Sequence, residues 1–186
     1  MKFDLSMKVM DAIYKRCSVR SYSPDQLDET TIRSLLAAAV RAPTAVHLEP
    51  WAFAVIQDKN LLKGLSDRAK PLFLEEVHRS HLDRGGHTLE IFASPDFNIF
   101  YNAGTLIIIC GKPMGPFVVA DCWLAAENLM LAAFAAGLGT CVIGSAVPAL
   151  NTADIKTELG IAAELTPIAP IIVGMPAGET SPTPRK

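Results

Sequence analysis

The sequence predicts an α+β or α/β fold in one domain, and three observations point to it. The 186 residues are half hydrophobic and only 19% charged, enough apolar material for one substantial core. Stretches with apolar residues at three- and four-residue spacing outnumber short β-branched runs. Those β-branched runs lie far apart in the chain, so the strands must meet across intervening helices.

Taken in order, Val9, Met10, Ile13 and Tyr14 recur at helical spacing, with Ser6 at the N-cap. Asp28 caps a second helix whose buried stripe is Ile32, Leu35, Leu36, Ala39 and Val40, and Pro43 ends it. "WAFAVIQ", Trp51 to Gln57, is a strand. Asp58 opens a short helix through "LLKGLSDRA", a separate helix runs from Pro71 to about His81, and "DRGGHTLEIFASPDFN" is a loop. "TLIIIC", Thr105 to Cys110, is a buried strand. From about Val118 to Ala136 runs a helix apolar nearly all round, stopped by Gly137 or Gly139. "TCVIG" is a short extended piece, "NTADIKTELG" a capped short helix ended by Gly160, and "PIAPIIVG" the last strand. A Pro-rich extended tail, residues about 174–186, closes the single domain 1–186.

A net charge of −2 with scattered cations argues against a nucleic-acid binder. The N-terminus has no apolar core of signal-peptide length, which points to the cytoplasm. Phe117 to Gly139 is long enough to span a bilayer, but Asp121, Glu127 and Asn128 interrupt it, so a buried helix and no membrane partner are expected. Cys17, Cys110, Cys122 and Cys141 form no C-x-x-C pair and read as reduced thiols.

Four stretches bear on chemistry. "YKRCSVRSY" sets Lys15, Arg16 and Arg20 around Cys17, Ser18 and Ser21; it reads as a solvated helix end or as an anion site. Cys17 beside Arg16 is a thiol activated by cations or a small residue packed beside a ligand. His78, His81 and His87, near Glu75, Glu76 and Asp83, are a metal site or a solvated face; no H-E-x-x-H spacing occurs and no fourth ligand is placed. "RAPTAVHLEPWAF" places Thr44, Ala45, His47 and Glu49 between a helix and a buried strand, a position that suits either function or an ordinary connector. The chain lacks the G-x-S-x-G elbow, the P-loop and the G-x-G-x-x-G fingerprint, so classical dinucleotide binding is not expected.

Five segments together, "KRCSVRSY", "LLAAAVRAPTAVHLEPWAF", "FYNAGTLIIICG", "DCWLAAENLMLAAFAAGLGTCVIG" and "PIIVGMPAGETSPTPRK", resemble in order the motifs of the nitroreductase family of FMN-dependent flavoproteins, from about Asp11 to Lys186. The resemblance implies an α+β sandwich with a mostly antiparallel sheet wrapped by helices, in an intertwined homodimer with FMN shared at the interface. It implies ping-pong hydride transfer from NADH or NADPH through FMN to a small acceptor such as a nitroaromatic or a quinone. Arg16, Ser18 and Arg20, flanking Cys17, match the family's FMN-phosphate pattern. Arg185, within Pro184, Arg185 and Lys186, matches a C-terminal element that reaches the same phosphate. Pro43, Thr44, Ala45, Val46 and His47 match the segment along the isoalloxazine and ribityl chain; Val142, Ile143, Gly144 and Ser145 match the one on the flavin's other side. The chain departs from the family at His47 and Glu49, where Asn and Gln are usual. An amide donates and accepts whereas a carboxylate only accepts, so these two positions bear on flavin potential, reductant and substrate. No protein general acid is assigned. Other readings are a branch with different flavin chemistry, such as flavin breakdown or dehalogenation, FMN binding without turnover, and a metal hydrolase on the His cluster.

Overall fold

The computed structural model describes residues 7–79 and 86–181, with the backbone alone for 86–89. Its centre is a four-stranded sheet in the order β1-β2-β4-β3. β1 is Trp51–Ile56, β2 Thr105–Gly111, β3 Gly139–Val142 and β4 Thr166–Gly174. Every neighbouring pair is antiparallel, which settles the class as α+β. β2 is buried along its whole length because both faces of the sheet are covered. Ile107 and Ile109 face a cluster with α2 (Glu29–Ala39) and α5 (Val118–Ala135). Leu106, Ile108 and Cys110 face the opposite cluster, under α3 (Lys59–Arg79), α6 (Val147–Leu150) and α7 (Ala153–Glu158). An apolar run with no polar alternation is therefore what this strand requires.

The helix signals hold where caps are present. The Asp28 carboxylate accepts from the Thr31 N–H at 2.7 Å and starts α2. Asp58 does the same for Asn60 and Leu61 at the start of α3. α5 ends where Gly137 takes φ +74°, with Gly137 N–H donating to the Phe134 carbonyl and Leu138 N–H to that of Ala133. α7 ends before Gly160 at φ +66°.

Several expectations are corrected. α1 is Val9–Lys15 with Lys8 at the N-cap position; Ser6 lies outside the described residues. The two helices expected around Pro71 are one 21-residue helix, α3. Pro71 forgoes one backbone bond to the preceding turn. The packing of Leu65, Ala69 and Lys70 carries the helix through it. Lys70 is buried, and its ammonium donates to the carbonyls of Ser94, Pro95 and Phe97 and pairs with Asp67. The stretch read as loop after His81 holds α4, Gly86–Ala93. Val40, assigned to the buried stripe of α2, is its exposed C-cap. Thr152 stands at the N-cap of α7 without a side-chain cap bond; its hydroxyl donates to the Ala149 carbonyl instead.

α5 is the one helix among the described residues long and apolar enough to cross a bilayer, by length and composition. Its inner side packs on β1, β2, β3 and β4. Its outer side is uncovered, with Val119, Trp123 and Leu124 exposed.

Candidate functional site

The chain from Arg16 to Tyr22 leaves α1 extended and runs beside β3. Ser18 bridges Thr140 in parallel, and Val19 N–H donates to the Thr140 carbonyl at 2.9 Å. Residues two apart on an extended chain share a side, so Arg16, Ser18 and Arg20 project together. The neighbouring strand β3 carries Cys141. Burial raises that thiol's pKa, while Arg20, a Ser18 hydrogen bond and Arg16 oppose the rise. The segment thus sets a hydroxyl and two permanently charged guanidinium groups beside β3. The Arg16 side chain is 18% exposed and meets the Glu127 carboxylate of α5 at 3.9 Å. Arg20 is exposed, with its guanidinium carbon 5.9 Å from the centroid of the Tyr101 ring. Tyr22 anchors the segment by donating to the Val19 carbonyl at 2.7 Å; its phenol, raised mainly by burial, stays protonated.

A cleft of about 320 Å³ opens beside this segment, lined by Arg16, Cys17, Phe134, Gly139, Pro176 and Thr180 among others. The tail forms its far wall. Ser23 N–H bonds the Met175 carbonyl, Ala177 N–H bonds that of Ser21, and Cys17 Sγ reaches the Thr180 carbonyl at 3.5 Å. The tail therefore folds back over the basic segment. Arg185 and Lys186 lie outside the described residues. All four cysteines are free thiols, and burial holds Cys110 up at about 11 and Cys122 up at about 12. Cys110 and Cys122 are inert core groups.

Gly139 lets the segment approach. A Cβ there would meet the Val19 side chain at 2.7 to 2.9 Å. Gly139→Ala is expected to cost about 1–3 kcal/mol by overpacking, read as a lower Tm. Trimming the obstacle in Gly139→Ala/Val19→Ala should recover part of the loss; a double variant no better than additive would show the contact is not limiting.

The loop at residues 43–49 is built differently. Val46, His47 and Glu49 have φ of +46°, +56° and +46°, a left-handed backbone rarely adopted by residues other than glycine and least of all by a β-branched one. Ala45 N–H donates to both oxygens of Asp121 at 3.2 and 3.4 Å. That carboxylate is 4% exposed and stands in the first turn of α5, where the helix dipole favours it. The loop is thereby tied down, while Pro43, Val46, His47 and Glu49 face solvent.

Val142 ends β3, and Gly144–Ala146 make a 3₁₀ turn. Ile143 N–H is taken by the Pro170 carbonyl at 2.8 Å. The predicted positions therefore fall into two groups. Arg16, Cys17, Ser18 and Arg20 gather at β3, which runs directly into residues 142–145. The loop 43–47 sits instead at the N-terminal end of α5. Asp121, which holds the loop, and Phe134, which lines the cleft, are separated by about 20 Å at 1.5 Å per residue. Among the described residues no group of three His, Cys, Asp or Glu side chains is disposed for a metal; His81 and the side chain of His87 lie outside them.

The family profile described as Nitroreductase family matches residues 13–175. The chain belongs to the nitroreductase family. It is 28% identical over 172 residues to an Archaeoglobus fulgidus protein provisionally named NADH dehydrogenase/NAD(P)H nitroreductase, covering 90% of this chain and 84% of that one. The crystal structure of a nitroreductase with bound FMN from Bacteroides fragilis superposes with a TM-score of 0.81 at 25% identity, covering 97% and 96% of the two chains. Human iodotyrosine deiodinase 1 matches over 82 residues at 29% identity, 44% of this chain and 27% of that protein. The sheet and helices described above are thus the nitroreductase fold.

Three residues of this nitroreductase-family chain went unassigned in the sequence: Asp121, Glu127 and Tyr101. Asp121 carries a readable signal, a carboxylate interrupting an apolar helix. Tyr101 stands in the "FYNAG" motif, but nothing in its own neighbourhood shows that it meets Arg20.

Proposed function

We propose that this chain is an FMN-dependent oxidoreductase that takes hydride from NADH or NADPH and delivers it to a small acceptor, such as a nitroaromatic or a quinone, by a ping-pong mechanism. The observation that carries the reading is the alternation of Arg16, Ser18 and Arg20 on an extended segment paired with β3. Two guanidinium groups and a hydroxyl suit a phosphate dianion, since each guanidinium can donate to a pair of oxygens. The donor set fits FMN. When bound, FMN supplies the acceptance and release of hydride.

The chain's own groups bind and orient. Arg16, Ser18 and Arg20 take the phosphate, and Arg185 of the tail adds a cation to it. Cys17 packs as a small residue beside the site. Val142, Ile143, Gly144 and Ser145 lie along one side of the ring system. Ile143's N–H is engaged with Pro170, so a backbone donor from this segment comes from Gly144 or Ser145. Pro43, Thr44, Ala45 and His47 line the ring and ribityl region, and His47 and Glu49 tune its electrostatics from their exposed loop.

The spacing of the two groups supports a homodimer. The loop lies at the N-terminal end of α5 while the cleft beside the basic segment reaches Phe134 near its C-terminal end, and much of that helix's apolar surface, including Val119, Trp123 and Leu124, is uncovered in one copy. Pairing two copies over this face about a two-fold axis perpendicular to α5 sets the two helices antiparallel. The loop of one copy then falls at the cluster of the other. The four free thiols accord with a reducing, cytoplasmic setting.

Absorbance of the purified protein tests the reading. Flavin bands near one FMN per subunit, bleached without oxygen by NADH or NADPH and restored by a quinone, are expected. Bands that neither nucleotide bleaches would leave a binding protein, and protein without flavin would overturn the cofactor assignment.

A further inference from the structure

The "FYNAG" segment before β2 adopts a turn without glycine at its left-handed positions: Tyr101 has φ +51° and Asn102 φ +56°. The turn is fixed from several sides. Tyr101 N–H donates to the Asn98 carbonyl at 2.9 Å, and the Asn98 side chain accepts from Phe100 N–H at 2.9 Å and donates to Asn102 Oδ1 at 3.0 Å. Ile99 N–H donates to the buried Ser66 hydroxyl at 3.0 Å. The Tyr101 ring meets Phe97 edge-on at 5.6 Å and 81°, and Phe97 in turn meets Phe92 at 5.3 Å. The buried Lys70 ammonium holds the Phe97 carbonyl at 3.0 Å. A strained, heavily braced turn thus presents one aromatic face, and Arg20 lies over it at 5.9 Å.

Arg20 needs such a support. It is exposed, and among the described residues no carboxylate pairs with it. A long side chain of this kind samples many rotamers in water and loses that freedom on gripping an anion. Arg16 differs: its side chain is largely covered. A guanidinium over a tyrosine ring is attracted by the ring's negative face and keeps its N–H edges free to donate.

We propose that Tyr101 is the positioning residue of Arg20, supplying the ring face on which the guanidinium rests while its N–H edge meets the phosphate of the bound flavin nucleotide. This rests on the phosphate assignment made above. FMN and riboflavin differ only in that phosphate, so the ratio of their dissociation constants reads the effect. Equilibrium dialysis on the full-length protein gives both constants. Tyr101→Leu, and Tyr101→Asn, which suits the left-handed backbone, are each expected to lower the preference for FMN about two- to fivefold. Tyr101→Phe, which keeps the ring, should retain the wild-type ratio. In an Arg20→Ala background Tyr101→Leu should change the ratio no further. A wild-type ratio in both Tyr101→Leu and Tyr101→Asn overturns the proposal, as does a full extra loss in the Arg20→Ala background. A loss in Tyr101→Phe equal to that in Tyr101→Leu transfers the role to the hydroxyl and overturns the ring-face contact. If Arg20→Ala itself leaves the ratio unchanged, the phosphate assignment of Arg20 is wrong and this proposal falls with it.

Discussion

Arg16→Ala is expected to weaken FMN binding about tenfold to a hundredfold while leaving riboflavin close to wild type. A hydrogen bond to a charged group contributes about 1.5–3 kcal/mol, and about 1.4 kcal/mol is a factor of ten. Arg16 belongs at the upper end of that range. Its side chain is 18% exposed, so salt and water screen it little. Its standing partner Glu127, at 3.9 Å and half exposed, makes a loose pair that a dianion displaces at small cost. Arg20→Ala should act in the same direction but less strongly, since Arg20 is exposed. The selectivity matters more than the magnitude. Equal losses for FMN and riboflavin would mean that Arg16 shapes the fold of the segment rather than gripping the phosphate.

Phe100→Ala is expected to destabilise the fold by about 3–5 kcal/mol, more than Gly139→Ala. Phe100 is fully buried in the cluster with Leu65, Ile99, Leu106 and Ile108, on the face of the sheet covered by α3. Removing its ring leaves a cavity among helix and strand side chains that cannot all collapse into it. Against a typical total of about 5–15 kcal/mol, that is a large fraction. At about 2–4 °C per kcal/mol for a chain of this size, the Tm should fall roughly 6–20 °C. Thermal and urea unfolding check it; a loss below about 1 kcal/mol would mean that the neighbours close over the gap.

The elements legible in the sequence were those whose signal is local. Asp28 caps α2 and Asp58 caps α3 through their own neighbours, and β2 declares itself by seven residues with no polar face. Pro71 misled because the chemistry that overrides it is distant: Lys70 reaches carbonyls more than twenty residues away. α4 hid behind a glycine pair and a proline that read as loop. The left-handed backbone at Val46, His47 and Glu49 was illegible because no glycine marks it. In the site, Arg16, Ser18 and Arg20 were marked by the family motif, while their own stretch read as a helix end or an anion site; their extended pairing with β3 came with the structure. Cys141, on the strand beside them, and Asp121, 76 residues from the loop it holds, belong to tertiary structure alone. The family motifs supplied the cofactor; the placement of the loop at one end of α5 and of the cleft at the other came only with the fold.

The central claim is that one flavin is held by the basic segment of one copy and the 43–47 loop of another. Mixed dimers test it most directly. One variant carries Arg16→Ala and Arg20→Ala; a second carries Pro43→Asp and Ala45→Asp, which set carboxylates against the loop's ligand face. Each alone should form a flavin-poor homodimer. Co-expressed with different affinity tags and purified through both, the heterodimer contains one site with both halves native and one with both halves altered. A shared site predicts one tightly held FMN per heterodimer, bleached by NADH or NADPH. If the heterodimer is as flavin-poor as its parents, each site is built within a single copy, and the shared site is contradicted.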